Sequence, residues 1–127
     1  LQINRNIYYL FEDFLKNLND PNWIKYYIYW ELSLIKELGF EIGFLNKDNI
    51  IKNTNQKFEL NNKHYKIPQL FLNNENENIT NFMIKEALKF NKSLLMENFI
   101  IPNQLRLPTT RNILENYYIW FYILKNY

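Results

Sequence analysis

Lys85, Lys89 and Lys92 recur every three or four residues in the segment from Ile79 to Phe99, the spacing that brings side chains to one edge of a helix. With Arg106 and Arg111 downstream, such an edge suits DNA phosphates or an acidic peptide, because ammonium and guanidinium groups neutralise and hydrogen-bond anions. Arg5, Lys16 and Lys25 are further candidates for the same contacts. The plainer reading is a solvated helix face, the usual place for lysine. Glu31 is the other chemically pointed residue. It interrupts an apolar helix, where a carboxylate is costly unless paired or hydrogen-bonded. Arg111 is one expected partner, and that pairing would fix how two helices dock. The alternative is an exposed Glu31 in local contact with Tyr27 or the turn of Lys36.

Little else in the sequence is equipped for chemistry. Cysteine is absent, which removes disulfides, thiolate zinc sites and thiol nucleophiles together. That absence fits a cytoplasmic location. His64 is the one histidine and has no carboxylates at ligand spacing, so no metal site is expected. Glu12, Asp13, Glu37 and Glu41 form no acid–base arrangement, and two glycines cannot build a phosphate-cradling loop. No catalytic residues and no cofactor are expected. Trp23, Trp30 and Trp120 could stack on bases, but tryptophans at helical spacing are more often core.

These residues belong to a chain of 127, enough for one domain with a real core. It is 47% hydrophobic and 18% aromatic, too apolar for a disordered segment. Its 15 Lys+Arg against 13 Asp+Glu give a formal charge of +2 and no domain-wide basic field. Asn, Ile, Lys, Phe and Tyr abound, while there is one Ala and no Val. The favoured residues all have codons built only of A and T, so drift in an AT-rich genome explains much of the composition. No apolar run reaches the roughly 18 residues of a spanning helix. The chain opens on Leu1 with no signal segment behind it, and an upstream domain is expected.

Periodicity predicts a mainly α fold of about four helices with a small β-hairpin inserted after the second. The first helix is expected from Ile3 to Leu18, with Ile3, Ile7, Leu10, Phe14 and Leu18 on one face. Asp20 is read as the N-cap of the second, with Pro21 at its first position. That helix, Pro21 to Leu38, carries two apolar stripes, one of Trp23, Tyr27, Trp30, Leu34 and Leu38, the other of Ile24, Ile28, Leu32 and Ile35. It belongs at a domain centre, and Gly39 stands where a left-handed C-cap is wanted. Ile50–Lys52 and Lys57–Leu60 are read as a hairpin across Asn53–Gln56, with His64–Lys66 as a third short strand. Asn73 to Asn78 is a polar connector. A third helix follows, from Ile79 to Phe99 with Met83, Ala87, Phe90 and Leu94 inward, ended by Pro102. A last helix should run from about Pro108 to Leu124.

The segment Tyr29-Trp30-Glu31-Leu32-Ser33-Leu34-Ile35-Lys36-Glu37-Leu38-Gly39-Phe40-Glu41-Ile42 resembles a motif of the C-terminal domain of RecO recombination mediators. Ile67-Pro68-Gln69-Leu70-Phe71-Leu72 is similar to that family's Leu-Pro-x-Phe-Leu turn. Leu107-Pro108-Thr109-Thr110-Arg111 resembles the Leu-Pro-x-x-Arg that opens its last helix. The hairpin and the long helix fall between these in the family's order, so the likeness spans nearly the whole chain. Within it, Glu31, Gly39, Pro68 and Pro108 would be structural. Many members have a four-cysteine zinc element after the Leu-Gly-aromatic motif, and Gly43 to Asn49 has no cysteine, so the likeness is to a zinc-less variant.

The resemblance implies a role in DNA repair and DNA recombination after DNA damage, without catalysis. It implies binding to single- and double-stranded DNA and to the acidic, Phe-ending tail of single-strand-binding protein, and work with RecR to load RecA. It also implies an N-terminal OB-fold upstream. The competing expectation is a helical protein-interaction module unrelated to repair.

Overall fold

The N-terminal amphipathic pattern folds into two helices, α1 (Arg5–Lys16) and α2 (Trp23–Glu37), in a computed structural model that describes residues 5–40, 57–72 and 78–116. A two-stranded antiparallel sheet follows, β1 (Lys57–Leu60) and β2 (Lys63–Lys66), then a single helical turn, α3 (Gln69–Leu72). The long helix α4 (Asn81–Leu95) continues into a π-helical turn (Met96–Ile100), and residues 109–116 form α5. The fold is thus mainly α with a small hairpin. The chain divides into two compact units, Leu1–Ile67 and Pro68–Tyr127. No described helix is long and apolar enough to cross a membrane.

In the first unit, α2 buries its Ile24, Ile28, Leu32 and Ile35 stripe deepest, with the last three fully enclosed. The Trp23–Leu38 stripe is shallower: Tyr27 is buried, Trp23, Trp30 and Leu34 are half-buried, and Leu38 is exposed. Helix α1 lies against this second stripe through aromatic rings. Phe11 meets Trp30 at a centroid distance of 5.5 Å, and Phe14 meets Tyr27 at 5.7 Å. Leu18, expected on the inner face, is exposed, because α1 ends at Lys16.

The junction between these helices differs from the expected cap. Helix α2 begins at Trp23 and not at Pro21. The Asp20 carboxylate accepts from the Asn22 backbone N–H at 2.7 Å, closing a turn two residues long. Aspartate makes this local bond readily, in competition with helix capping. At the other end Gly39 has φ +104° and donates to the Lys36 carbonyl at 3.1 Å. Only glycine occupies that backbone region without steric cost.

The strand expected over His64–Lys66 is present and begins one residue earlier. β1 pairs with Lys63–Lys66 in the register Lys57↔Lys66, Phe58↔Tyr65, Glu59↔His64 and Leu60↔Lys63. The connection is Asn61-Asn62, with φ of 51° and 65°. Two successive left-handed residues are what the tight turn between twisted strands needs, and Asn tolerates them best after Gly. The expected strand Ile50–Lys52 and turn Asn53–Gln56 lie outside the described residues, as does most of the Asn73–Asn78 connector.

In the second unit α3 seats Leu70 and Phe71 in the core, with Phe71 edge-on to Phe90 at 5.9 Å. Glu86 accepts from the Gln69 N–H at 2.7 Å, satisfying a first-turn donor of α3. Helix α4 starts at a Thr80 N-cap, whose hydroxyl accepts from Met83 N–H at 3.3 Å. Its inner face is Met83, Ile84, Ala87, Leu88, Phe90, Asn91, Leu94 and Leu95.

The helical backbone runs to Ile100, one residue past the expected Phe99, and Pro102 follows. The backbone widens into the π turn first, with Ile101 N–H bonded to Met96 O at 2.9 Å. The buried Asn98 amide donates to the Leu94 carbonyl at 3.0 Å, competing with the regular ladder. This turn lies just before Pro102, which has no N–H and whose ring crowds the carbonyl four residues back. The chain then closes on Gln104 (φ 54°), which donates to Ile101 O at 3.1 Å while Leu105 donates to Ile100 O at 2.9 Å. Those two bonds are the pair of a Schellman stop, built here without glycine. Helix α5 follows Pro108, whose carbonyl accepts from Arg111 N–H at 3.1 Å. Its expected course to Leu124 passes beyond the described residues.

Candidate nucleic-acid interface

Helix α4 has an inner apolar face and an outer one, and the outer face holds the expected lysines. Lys85 and Lys89 are exposed, and Lys92 is half-buried near the end of the helix. Phe82, which the sequence reading did not single out, stands on the same outer face with 71% of its surface exposed. On a helix of 3.6 residues per turn, positions 82, 85 and 89 fall within about 60° of one another. An aromatic ring and two ammonium groups therefore share one ridge. Phe82 was findable: it lies off the Met83–Ala87–Phe90–Leu94 stripe, so a helical projection leaves it unburied.

Arg106 is exposed in the segment between α4 and α5. Arg111, expected among the anion contacts, is set apart from the ridge by burial. Its guanidinium is paired with Glu115 one turn on and donates to the Leu88 carbonyl at 2.9 Å. It thus ties the start of α5 to the middle of α4. A solvent-borne phosphate would reach it only by displacing those bonds.

Glu31 is buried at 2% exposure and accepts the Tyr27 hydroxyl proton at 2.7 Å. Within its own unit, each of Glu31 and Arg111 has a partner four residues away. Removing the hydroxyl with Tyr27→Phe takes a donor from a buried carboxylate. Urea unfolding should show a loss of roughly 1–3 kcal/mol, and an unchanged midpoint would mean that the bond is matched by water. Tyr29, in the same helix, has its phenol pushed above the usual tyrosine range by burial. The neutral phenol is the folded form, so its contribution is present below pH ~10 and is lost as pH rises further.

Pro68 is fully buried, whereas Pro108 is exposed. His64 is exposed on β2. Trp23 and Trp30 are half-buried, with Trp30 inside the α1–α2 ring cluster, and Trp120 lies outside the described residues. Among the described residues no three His, Asp or Glu side chains converge as a metal site.

The chain matches no family model, no curated protein and no solved structure.

Proposed function

We propose that this chain is a non-catalytic DNA-binding domain of the recombination-mediator kind, gripping single-stranded DNA along the Phe82–Lys85–Lys89 ridge. The observation that carries the reading is the exposed Phe82 beside two exposed lysines. Leaving a large ring in water has a cost, and a ring at the end of a row of cations can stack on a base while the ammonium groups meet the neighbouring phosphates. A protruding ring suits an unstacked base better than it suits a Phe-ending acidic tail, which needs a concave apolar pocket.

The serial order of motifs resembling RecO supports the biological setting: DNA repair and recombination in the cytoplasm. RecR and the tail of single-strand-binding protein would be further partners in that setting. Phe82→Ala should weaken oligothymidylate binding by roughly 5- to 100-fold, the equivalent of about 1–3 kcal/mol for one stacked base. Phe82→Trp should keep or improve it. Equal affinity for the Ala variant in a fluorescence-anisotropy titration would remove the ridge from the account.

A second reading has one observation in its favour. Tyr8, Tyr9, Phe11, Leu15 and Leu18 are exposed on and just after α1, and clustered exposed apolar side chains mark interaction sites. A helical protein-interaction module would use that surface, and α1 substitutions would then abolish partner binding while leaving DNA binding intact.

A further inference from the structure

Helix α4 carries a carboxylate beside its exposed ring. Glu86 follows Phe82 by four residues, so the two stand one turn apart and about 40° from each other around the helix. Side chains at that spacing meet, because long helical side chains lean back over the preceding turn. Lys85 and Lys89 lie on the other side of the ring, about 60° and 20° away. The ring therefore stands between an ammonium edge and a carboxylate edge. Glu86 is half-buried and held in place, with Oε1 accepting the Gln69 backbone N–H at 2.7 Å. Its Oε2 has no hydrogen bond to any described residue. Gln69 and α4 belong to the same compact unit. A carboxylate so placed repels phosphate, which keeps a strand's backbone on the lysine side and turns the base toward Glu86.

We infer that Glu86 reads the Watson–Crick edge of the base stacked on Phe82 and favours guanine there. The inference rests on the proposed DNA-binding reading and names the base that the ridge prefers. A carboxylate accepts and does not donate, so it bonds to base edges that present N–H groups. Guanine offers two neighbouring donors, its ring N1–H and its N2 amino group, to the two oxygens of one carboxylate. Oε1 keeps a lone pair for this bond after accepting from Gln69. Adenine and cytosine offer one amino group beside an acceptor nitrogen, which the carboxylate repels. Thymine offers its N3–H between two carbonyl oxygens and suits the site least. These edges are open in a single strand and paired in a duplex, so the contact also favours single-stranded DNA.

The test compares two labelled strands of ~8 nucleotides in anisotropy titrations with the full chain, one of thymidylate and one alternating guanine with thymine. One bidentate base contact discriminates by about 5- to 150-fold, and half the positions of the alternating strand hold guanine. The wild type should therefore bind that strand about 3- to 75-fold tighter. Glu86→Gln should bring the two affinities within about 2-fold, because an amide meets guanine's paired donors with one acceptor and one donor. The variant should stay folded by circular dichroism, since its side-chain oxygen still accepts the Gln69 N–H. Its thymidylate binding should hold or strengthen, because a negative charge near phosphate is gone. Equal wild-type affinity for the two strands, or a guanine preference that survives in Glu86→Gln, would overturn the role of Glu86 alone. No binding of either strand at low salt would overturn the DNA reading and the inference with it.

Discussion

Arg111→Met should destabilise the second unit by about 3–5 kcal/mol, as expected when one partner of a buried ion pair is removed. The change strands the Glu115 carboxylate and takes from the Leu88 carbonyl the guanidinium that donates to it at 2.9 Å. It would also free the start of α5 from α4. The double variant Arg111→Met/Glu115→Leu should recover most of the loss, because an apolar pair of similar volume carries no desolvation penalty. Urea unfolding of the single and double variants checks both expectations. A loss below about 1 kcal/mol in the single variant is what a solvated surface pair would give, and it would mean that Arg111 does not fasten these helices.

Ile28→Ala is the largest expected effect in the first unit, a loss of about 2–5 kcal/mol. Ile28 has 0% exposure at the centre of α2, between Ile24 and Leu32 on the most deeply buried stripe. The loss combines the transfer free energy of the deleted carbons with the cavity they leave, and a helix fixed by rings on a neighbouring face has little room to collapse. Ile28→Val should cost about 0.5–1.5 kcal/mol. Leu38→Ala, at an exposed position, should fall within about 0.5 kcal/mol of wild type. Trp23 and Trp30 lie on the same helix, so their fluorescence reports the transition directly. Equal effects of Ile28→Ala and Leu38→Ala would contradict the burial order of α2.

Much of α2 was legible because its two apolar stripes agree with Gly39 after it, although Asp20-Pro21 set the start two residues early. The apolar period of α4 was legible for the same reason. The strands Lys57–Leu60 and His64–Lys66 were legible, but the turn that joins them was not, for a physical reason. Asn is so frequent in this chain that Asn61-Asn62 carried no weight as a turn, although Asn is the side chain that best tolerates left-handed backbone. The π turn could not be read from a 3.6-residue period. It coincides with the Asn98 amide bonded to the Leu94 carbonyl and with Pro102 just beyond.

At the candidate interface, Lys85 and Lys89 were readable from spacing alone. Phe82 was passed over because aromatic residues in apolar helices are usually core, and only its angular position marks it out. Arg111 shows the opposite limit. Its (i, i+4) relation to Glu115 is local, but its bond to the Leu88 carbonyl joins residues 23 apart in sequence, and that bond withdraws it from solvent.

The most direct test of the central claim is the anisotropy of a labelled oligothymidylate strand titrated with the full wild-type chain at low and high salt. The account predicts binding at low salt that falls steeply as salt rises, because lysines displace counterions from phosphate. No binding at low salt, with circular dichroism showing the helices in place, would contradict it.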